Sequence, residues 1–421
     1  MEKKIFKNAF IYTLAEVINK AVPFLLLPIL TRYLTPSDFG VLATFTTFLS
    51  VLTVFVGLNM ASAISISFFK MSKDRLKIYI ANTLFIILVS TIFFLLIMLL
   101  GGQFLAEKIE VPFYWLIVSV FLALAQSITA INLALWHANQ QPVPYGTYQI
   151  LLTLMNLVIS IVLIIGFGMG LEGRFIGLVA STLFFLLTSL IIFYKSGYLT
   201  FSLNKNDLGD AIKFGVPLIP HTLSSWVLTG IDRLYITMLV GLSATGLYSV
   251  GYQFGMIIGI IASAFNQAYG PYVFKKLNNI NLQEKEKIVK FTYIYYVVVL
   301  LAAGVFSFVL PYIMVNFLGN KFSEASQFVT WISFGYAFQG MYFMVVIYIF
   351  YMKKTHLLAM VTFSVSMTHA VISYALIKFN GVIGAAQATT ISYFILFVVV
   401  WVLSIKIYSM PWLLNNKRAI L

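Results

Sequence analysis

The chain contains no cysteine and few charged residues. Without cysteine it can form no disulfide, no thiolate nucleophile and no cysteine-ligated metal site. Only 10% of its 421 residues are charged, whereas soluble domains carry roughly 25%. A soluble core could not absorb a chain that is 61% hydrophobic. The sequence therefore predicts an all-α integral membrane protein, whose helices satisfy their backbone hydrogen bonds within lipid.

Acidic residues and enzyme motifs are also scarce. Asp and Glu number 13 against 27 Lys and Arg, which gives a formal net charge of +14. In a soluble protein this charge would suggest nucleic-acid binding. In a membrane protein basic residues mainly mark cytoplasmic loops, so no nucleic-acid partner is predicted. The sequence has no P-loop and no H-E-x-x-H pattern, and we predict no enzyme activity, catalytic residue, cofactor or metal site.

The long apolar segments divide into about twelve transmembrane helices, since each crossing needs about 20 mainly apolar residues. The first six lie near 8–34, 39–69, 78–101, 112–136, 145–169 and 174–194. The second six lie near 211–240, 244–273, 289–318, 325–352, 355–378 and 382–408. The predicted fold is two six-helix bundles, 1–195 and 213–409, with a cytoplasmic linker, 196–212, and a cytoplasmic tail, 410–421.

The distribution of Lys and Arg predicts the orientation of these helices. With the N-terminus in the cytoplasm, 20 of these residues fall on the cytoplasmic side and 5 on the opposite side. Cytoplasmic loops of membrane proteins carry such an excess. Both termini are therefore predicted to be cytoplasmic.

The sequence also shows signs of an internal repeat. A shift of 206 residues aligns Ser37 with Ser243 and Gly40 with Gly246. Each half opens with a basic residue, a long helix, a tight turn and a second long helix. Parallel repeats related by an axis along the membrane normal are one plan on which transporters are built. The repeat predicts that six spans in the first half correspond to six spans in the second.

Four charged residues lie inside predicted spans: Glu16 and Lys20 in the first, Asp232 and Arg233 in the seventh. A charge at membrane depth costs at least about 2.5 kcal/mol, so such residues usually face a partner or a water-filled cavity. Glu16 and Lys20 are four residues apart and would stack on one helix face. They either neutralise each other to ease insertion or line a cavity. Because two of the four charges are positive, that cavity would suit an anionic cargo.

Asp232 and Arg233 are adjacent, so they should point about 100° apart on a helix and meet different partners. The repeat places His221 at the depth of Glu16, where the two could share a proton; the alternative is a buried structural histidine. His369, in the eleventh span, is interpreted as structural on the same grounds. Glu16, Asp232 and His221 are therefore the candidate residues for coupling to an ion gradient.

Four short segments carry a resemblance to a known family. They are residues 34–40 (LTPSDFG), 246–252 (GLYSVGY), 264–271 (AFNQAYGP) and 381–386 (GVIGAA). Together with twelve spans, basic cytoplasmic loops and intramembrane charges, they make the whole chain resemble the Wzx-type oligosaccharide flippases of bacterial polysaccharide synthesis. This branch belongs to the MATE-like superfamily of multidrug, oligosaccharidyl-lipid and polysaccharide exporters.

The resemblance implies a cavity lined by spans one, two, seven and eight. It implies transfer of an undecaprenyl-diphosphate-linked glycan, such as an O-antigen repeat unit of lipopolysaccharide, across the bacterial cytoplasmic membrane. By position, the residues that would meet this anionic cargo are Lys20 and Arg233, with Arg32 and Arg174 near the outer mouth. Other implied partners are membrane lipids, H⁺ or Na⁺, and the machinery that polymerises the polysaccharide.

Three alternatives remain at the level of the sequence. A multidrug cation antiporter of the same fold should have an acidic cavity, whereas here the charges are of both signs. A membrane glycan polymerase would need longer external loops. A scaffold without transport activity would have no use for buried charges.

Overall fold

A computed structural model describes residues 2–200, 202–278 and 280–413, without the side chains of residues 2–10, 13, 16, 20, 23 and 25. In this part of the chain the regular structure is helical and no strand occurs. The α-helices are α1 (Glu2–Tyr33), α2 (Pro36–Gly57), α3 (Met60–Ser67), α4 (Lys73–Ile109), α5 (Phe113–Ala138), α6 (Pro142–Ile161), α7 (Gly170–Lys195), α8 (Lys205–Gly215), α9 (Ile219–Leu239), α10 (Leu242–Gly255), α11 (Ile257–Leu277), α12 (Leu282–Leu318), α13 (Val329–Tyr351), α14 (Thr355–Asn380) and α15 (Val382–Ile407). The all-α prediction is confirmed.

Ten helical segments in the described residues are long and apolar enough to cross a membrane. They comprise α2, α4 to α7, α10 continued by α11, and α12 to α15. The two other predicted spans fall in α1 and α9, the helices that contain the four intramembrane charges. The chain is thus a multi-pass membrane protein, and the count of twelve spans remains a prediction.

The predicted second span is broken between α2 and α3. Leu58 and Asn59 have φ values of 45° and 55°, a left-handed backbone that ends the first helix. The Asn59 side chain stabilises the break, because its Nδ2 donates to the carbonyl of Gly215 at 3.3 Å and its Oδ1 accepts from Thr222 at 3.1 Å. The break therefore serves to join α3 to the start of α9.

The helix predicted from residue 211 is also divided. A 3₁₀ turn, Val216–Leu218, separates α8 from α9, where Pro217 supplies no amide hydrogen for a continuous helix. Two side-chain contacts tether α8 to α4: Arg75 with Asp207 at 2.6 Å, and the Tyr79 hydroxyl with Asp210 at 3.0 Å. The polar segment before the seventh span is therefore partly a short helix docked on α4.

Two compact units make up the chain, one of residues 1–226 and 241–246, the other of residues 227–240 and 247–421. In the first unit α5 packs against α2, α4 and α7. The Phe175 ring lies 4.4 Å from Trp115 and 4.8 Å from Phe45, centroid to centroid, and these rings fill its core. In the second unit α15 packs against α13 and α14.

Two glycines allow the starts of α2 and α10 to touch within the first unit. A Cβ on Gly40 would overlap the backbone of Leu242, and a Cβ on Gly246 would overlap the backbone of Pro36. Pro36 and Leu242 are themselves 206 residues apart. The two contacts are therefore equivalent under the predicted repeat.

Candidate functional site

Helix α9 places Asp232 inside the second unit, where the residue is 1% exposed. Its Oδ2 accepts hydrogen bonds from the hydroxyls of Tyr248 and Thr389, both at 2.9 Å. Its Oδ1 accepts from the Ser373 hydroxyl and lies 3.3 Å from Nε2 of His369. Burying a charge is costly unless it is paired and hydrogen-bonded. These four partners explain how a carboxylate is held at this depth.

His369 joins this carboxylate to α15. The residue is 0% exposed, and its Nδ1 lies 3.0 Å from the Ser392 hydroxyl. A neutral imidazole has one donor and one acceptor nitrogen, so His369 can connect Ser392 to Asp232. The expected burial of His369 is confirmed, and its neighbour is the intramembrane carboxylate. Asp232 and His369 therefore form a buried pair that links α9 to α14 and, through Ser392, to α15.

Arg233 points away from Asp232. Its guanidinium carbon lies 4.6 Å from the centroid of the Tyr252 ring, and its Nη1 donates to the Thr229 carbonyl at 2.7 Å. The Tyr252 hydroxyl in turn meets that of Tyr336 at 2.7 Å. The two neighbours thus have different partners, as their adjacent positions predict. Among the described residues no carboxylate forms an ion pair with Arg233.

Glu16 and Lys20 lie in one continuous helix, α1, but their side chains are outside the described residues. Asn19 between them is described. Its Nδ2 donates to Gln149 at 3.0 Å and its Oδ1 accepts from Thr153 at 3.1 Å. These bonds hold the Asn19 side of α1 against α6.

The two predicted outer cations differ in their surroundings. Arg32 is exposed in the last turn of α1. The Nη1 of Arg174 donates to Asn156 Oδ1 and to Ser160 Oγ, the latter at 2.9 Å. The Nε of Arg174 is buried and has no hydrogen-bond partner in the part of the chain that the structure describes. Arg174 therefore joins α7 to α6.

His221 is exposed near the start of α9 and belongs to the first unit. The predicted contact between His221 and Glu16 falls on a side chain outside the described residues. Of the two candidate coupling residues whose side chains are described, His221 is exposed and Asp232 lies in a buried polar cluster.

Sequence reasoning did not identify the partners of Asp232. His369 and Ser373 are four residues apart on α14, and Thr389 and Ser392 are three apart on α15. This spacing places each pair on one helix face. Hydroxyl pairs of this kind commonly link membrane helices, so the spacing alone does not point to a carboxylate on α9.

A family model matches residues 5–277, and its description is "polysaccharide biosynthesis protein". A protein of the Lsg locus of Haemophilus influenzae is 28% identical over 406 residues, which covers 93% of this chain and 98% of that protein. An uncharacterized membrane protein of the same organism is 26% identical over 359 residues, covering 83% and 85% of the two chains.

Solved structures show the same fold. The lipid II flippase MurJ, in an inward closed conformation, superposes with a TM-score of 0.76 at 14% identity, over 94% of this chain and 87% of that chain. A multidrug resistance MATE family transporter of the MOP superfamily, in an inward-facing conformation, gives a TM-score of 0.70 at 13% identity, over 94% and 97%.

The family match covers well over half of the 421 residues. The helical fold agrees with the MATE-like architecture that the sequence motifs implied. The chain therefore belongs to the polysaccharide biosynthesis protein family, and its resemblance to the Wzx-type flippases is confirmed.

Proposed function

We propose that this protein flips undecaprenyl-diphosphate-linked oligosaccharide repeat units from the cytoplasmic to the periplasmic leaflet of a bacterial inner membrane. It acts as a transporter by alternating access and not as an enzyme, and it delivers its cargo to the polysaccharide polymerase machinery. A diphosphate cannot cross hydrocarbon unaided, because moving an unpaired charge into a medium of low dielectric is very costly. A cavity with fixed cations offsets this cost while the lipid tail stays in the bilayer.

The observation that best supports this proposal is the set of contacts around Arg233. It lies within a helix of a multi-pass membrane protein, over the ring of Tyr252 at 4.6 Å. The neighbouring carboxylate of Asp232 is occupied by three hydroxyls and His369. A half-buried guanidinium that its adjacent acid does not neutralise is suited to a phosphate, since its planar fork donates two parallel hydrogen bonds.

The remaining basic residues extend this assignment. In our proposal Lys20 binds the diphosphate together with Arg233, as a point charge that tolerates several geometries. Arg32 and Arg174 would guide the cargo near the outer mouth. Both termini would lie in the cytoplasm, as the distribution of basic residues predicts.

We further propose that Asp232 couples transport to a proton gradient, together with Glu16 and His221. The contact between Asp232 and His369 supports this idea, because histidine is the side chain that ordinarily changes charge near neutral pH. Protonation would remove the charge of Asp232 or create one on His369. Either change would alter the hydrogen bonds that the three neighbouring hydroxyls donate to this carboxylate.

Export in cells tests the flippase proposal. In a deletion strain the lipid-linked repeat unit should accumulate and surface polysaccharide should disappear, and the wild-type gene should restore both. Arg233→Ala should reduce surface polysaccharide about 10-fold or more, because a hydrogen bond to a charged group contributes about 1.5–3 kcal/mol. Lys20→Arg should be milder than Arg233→Lys, since the guanidinium has the stricter geometry.

Lys378→Ala is the matched control, because Lys378 is an exposed cation in the last turn of α14. This variant should export normally. Normal surface polysaccharide from Arg233→Ala, at a normal amount of protein in the membrane, would contradict the assignment of Arg233.

Reconstituted vesicles test the coupling. Flipping by Asp232→Asn or His369→Gln protein should no longer respond to an imposed proton gradient, whereas flipping by the wild-type protein should. If the wild-type protein flips cargo equally well with the gradient collapsed and with sodium replaced, cation coupling is wrong, and removal of cargo on the far side would then drive transport.

A further inference from the structure

A cavity of about 510 Å³ opens between α11 and α12, at the ends of these helices that the basic residues assign to the cytoplasm. We call it the α11–α12 cavity. Its walls include the rings of Tyr269, Tyr272 and Phe291 and the charged groups of Lys276, Glu284 and Lys287. Its volume falls within the range of about 300–1,000 Å³ in which proteins bind small ligands.

The ring wall of this cavity is preformed and partly open. Tyr269 and Phe291 stack with centroids 5.2 Å apart and planes at 30°, and this pair holds α11 against α12. Tyr272 and Phe291 nevertheless remain 54% and 41% exposed. An exposed aromatic ring can cover the apolar face of a ligand while polar groups beside it fix the ligand's orientation.

The polar wall supplies both donors and an acceptor. Lys276 Nζ and Glu284 Oε1 form an ion pair at 2.7 Å, with side chains 42% and 29% exposed. Lys287 adds a second cation on α12. Segment 275–290 as a whole has five lysines and two glutamates. Such an excess attracts anions to the surface before they bind.

We propose that the α11–α12 cavity is a loading site for a sugar carried on a diphosphate. Phe291 and Tyr272 cover a face of the sugar, Glu284 accepts from its hydroxyls, and Lys287 and Lys276 bind the phosphates. The proposal rests on the function proposed above and adds a first point of contact on the cytoplasmic side. A purely apolar lipid chain would leave three charged groups of this wall unused, so the cavity suits a polar headgroup.

Photocrosslinking tests the site directly. A benzophenone amino acid is placed at Tyr272 in the full-length protein, in nanodiscs of uncharged phosphatidylcholine. The probe is a water-soluble short-chain prenyl diphosphate that carries one N-acetylglucosamine, and intact mass measures the adduct. The position control is the same amino acid at Tyr312, which is 65% exposed on α12 and does not line the cavity. We expect an adduct at Tyr272 and none at Tyr312.

Charge variants in the Tyr272 background identify the phosphate contact. Lys287→Glu should lower the adduct yield by about fivefold or more, whereas Lys290→Glu should leave it within about twofold. Lys290 is the matched control, since it is exposed one turn further along α12. No adduct at Tyr272, equal adducts at Tyr272 and Tyr312, or an equal loss with Lys290→Glu would each overturn the proposal.

Two further experiments are needed. The first distinguishes a sugar diphosphate from bulk anionic lipid as the ligand, and the second distinguishes a failure of the loading site from a failure of the flippase function. The first adds phosphatidylglycerol to the phosphatidylcholine of the nanodiscs. If this anionic lipid abolishes the adduct, the cavity binds bulk anionic lipid and the proposal is wrong. If Lys287→Glu loses the adduct but exports glycan normally in cells, the loading role is wrong. In that case a stalled lipid-linked glycan in the deletion strain would still support the flippase function, so the two failures are distinguishable.

Discussion

Alanine at Gly40 should open the contact between the starts of α2 and α10. A methyl group there would overlap the carbonyl group of Leu242, which is backbone and cannot rotate away. Forcing extra atoms into a packed contact costs about 1–3 kcal/mol. In the proposed alternating-access cycle, we call the state that makes this contact closed and the state that lacks it open, and the same energy changes the ratio of the two states by about 5- to 150-fold.

The absence of native cysteine makes this change measurable. Thr245 lies within the contact region and is 0% exposed, so Thr245→Cys gives a single reporter thiol that is hidden in the closed state. In the Gly40→Ala background the rate of maleimide labelling in intact cells should rise, by up to the roughly 5- to 150-fold change in the ratio of the two states. Gly246→Ala should have a similar effect, because its Cβ would meet the backbone of Pro36.

Gly304→Ala is the matched control, since it is a helical glycine of α12 with no atom within 4 Å of an added Cβ. Its labelling rate should equal that of the parent. Equal labelling in Gly40→Ala, Gly304→Ala and the parent, at equal protein amounts, would refute the idea that the glycine contact controls access. A lower melting temperature for Gly40→Ala without a change in labelling would refute it as well.

Three further predictions concern stability and topology. Arg174→Gln should lower the melting temperature in detergent, because Asn156 and Ser160 lose their donor and an unsatisfied buried group costs about 1–3 kcal/mol; Arg32→Gln, at an exposed position, should change stability by about 0.5 kcal/mol or less. An unchanged melting temperature with lost export would mean that Arg174 acts on the cargo, as proposed above, without stabilising the fold. Asp207→Asn should weaken its 2.6 Å ion pair with Arg75 and increase proteolysis next to α8, whereas Asp74→Asn, whose side chain is 92% exposed, should not. Cysteine at Ser243 should be labelled from outside intact cells and cysteine at Asn281 should not, and the reverse result would contradict the predicted orientation.

The helical segments were largely predictable because lipid leaves the backbone few choices. Long apolar runs must be helical when no water is available to satisfy the peptide groups. The breaks within spans were not predictable in this way. The kink at Leu58 and Asn59 depends on bonds from Asn59 to Gly215 and Thr222, which lie more than 150 residues away. Pro217 signals an interruption after α8, but proline is also tolerated within membrane helices.

The sequence predicted the charged residues of the candidate site but not the residues that contact them. A charge inside an apolar segment is conspicuous, and Asp232 and Arg233 were found for that reason. The residues that hold Asp232 come from α10, α14 and α15, up to 157 positions along the chain. Their hydroxyls do not stand out in the sequence. His369 does stand out, yet a lone buried histidine has many structural explanations, and the packing of α14 against α15 is needed to choose among them.

The two halves related by the predicted repeat do not share their charges. The 206-residue shift places Asp232 opposite Leu26 and Arg233 opposite Leu27. Leu27 is 2% exposed. The first half therefore uses an apolar side chain for packing at a position where the second half has a cation.

At the positions where the first half has its two charges, the second half has uncharged residues. Glu16 corresponds to Thr222 and Lys20 to Trp226. The Trp226 indole donates to Ser50 at 3.0 Å, so this position joins helices within the first unit. In the described residues the pairing of a buried acid with histidine occurs in the second unit alone. If both halves carried the same charges, each would have to bind cargo and respond to protons. In the proposed cycle, halves with different charges would allow α9 to hold a proton-exchanging carboxylate next to a phosphate-binding arginine, while Lys20 of α1 would contribute a second cation. In the proposed cycle, protonation would therefore act on one half of the transporter, and movement of that half against the other would transfer the cargo.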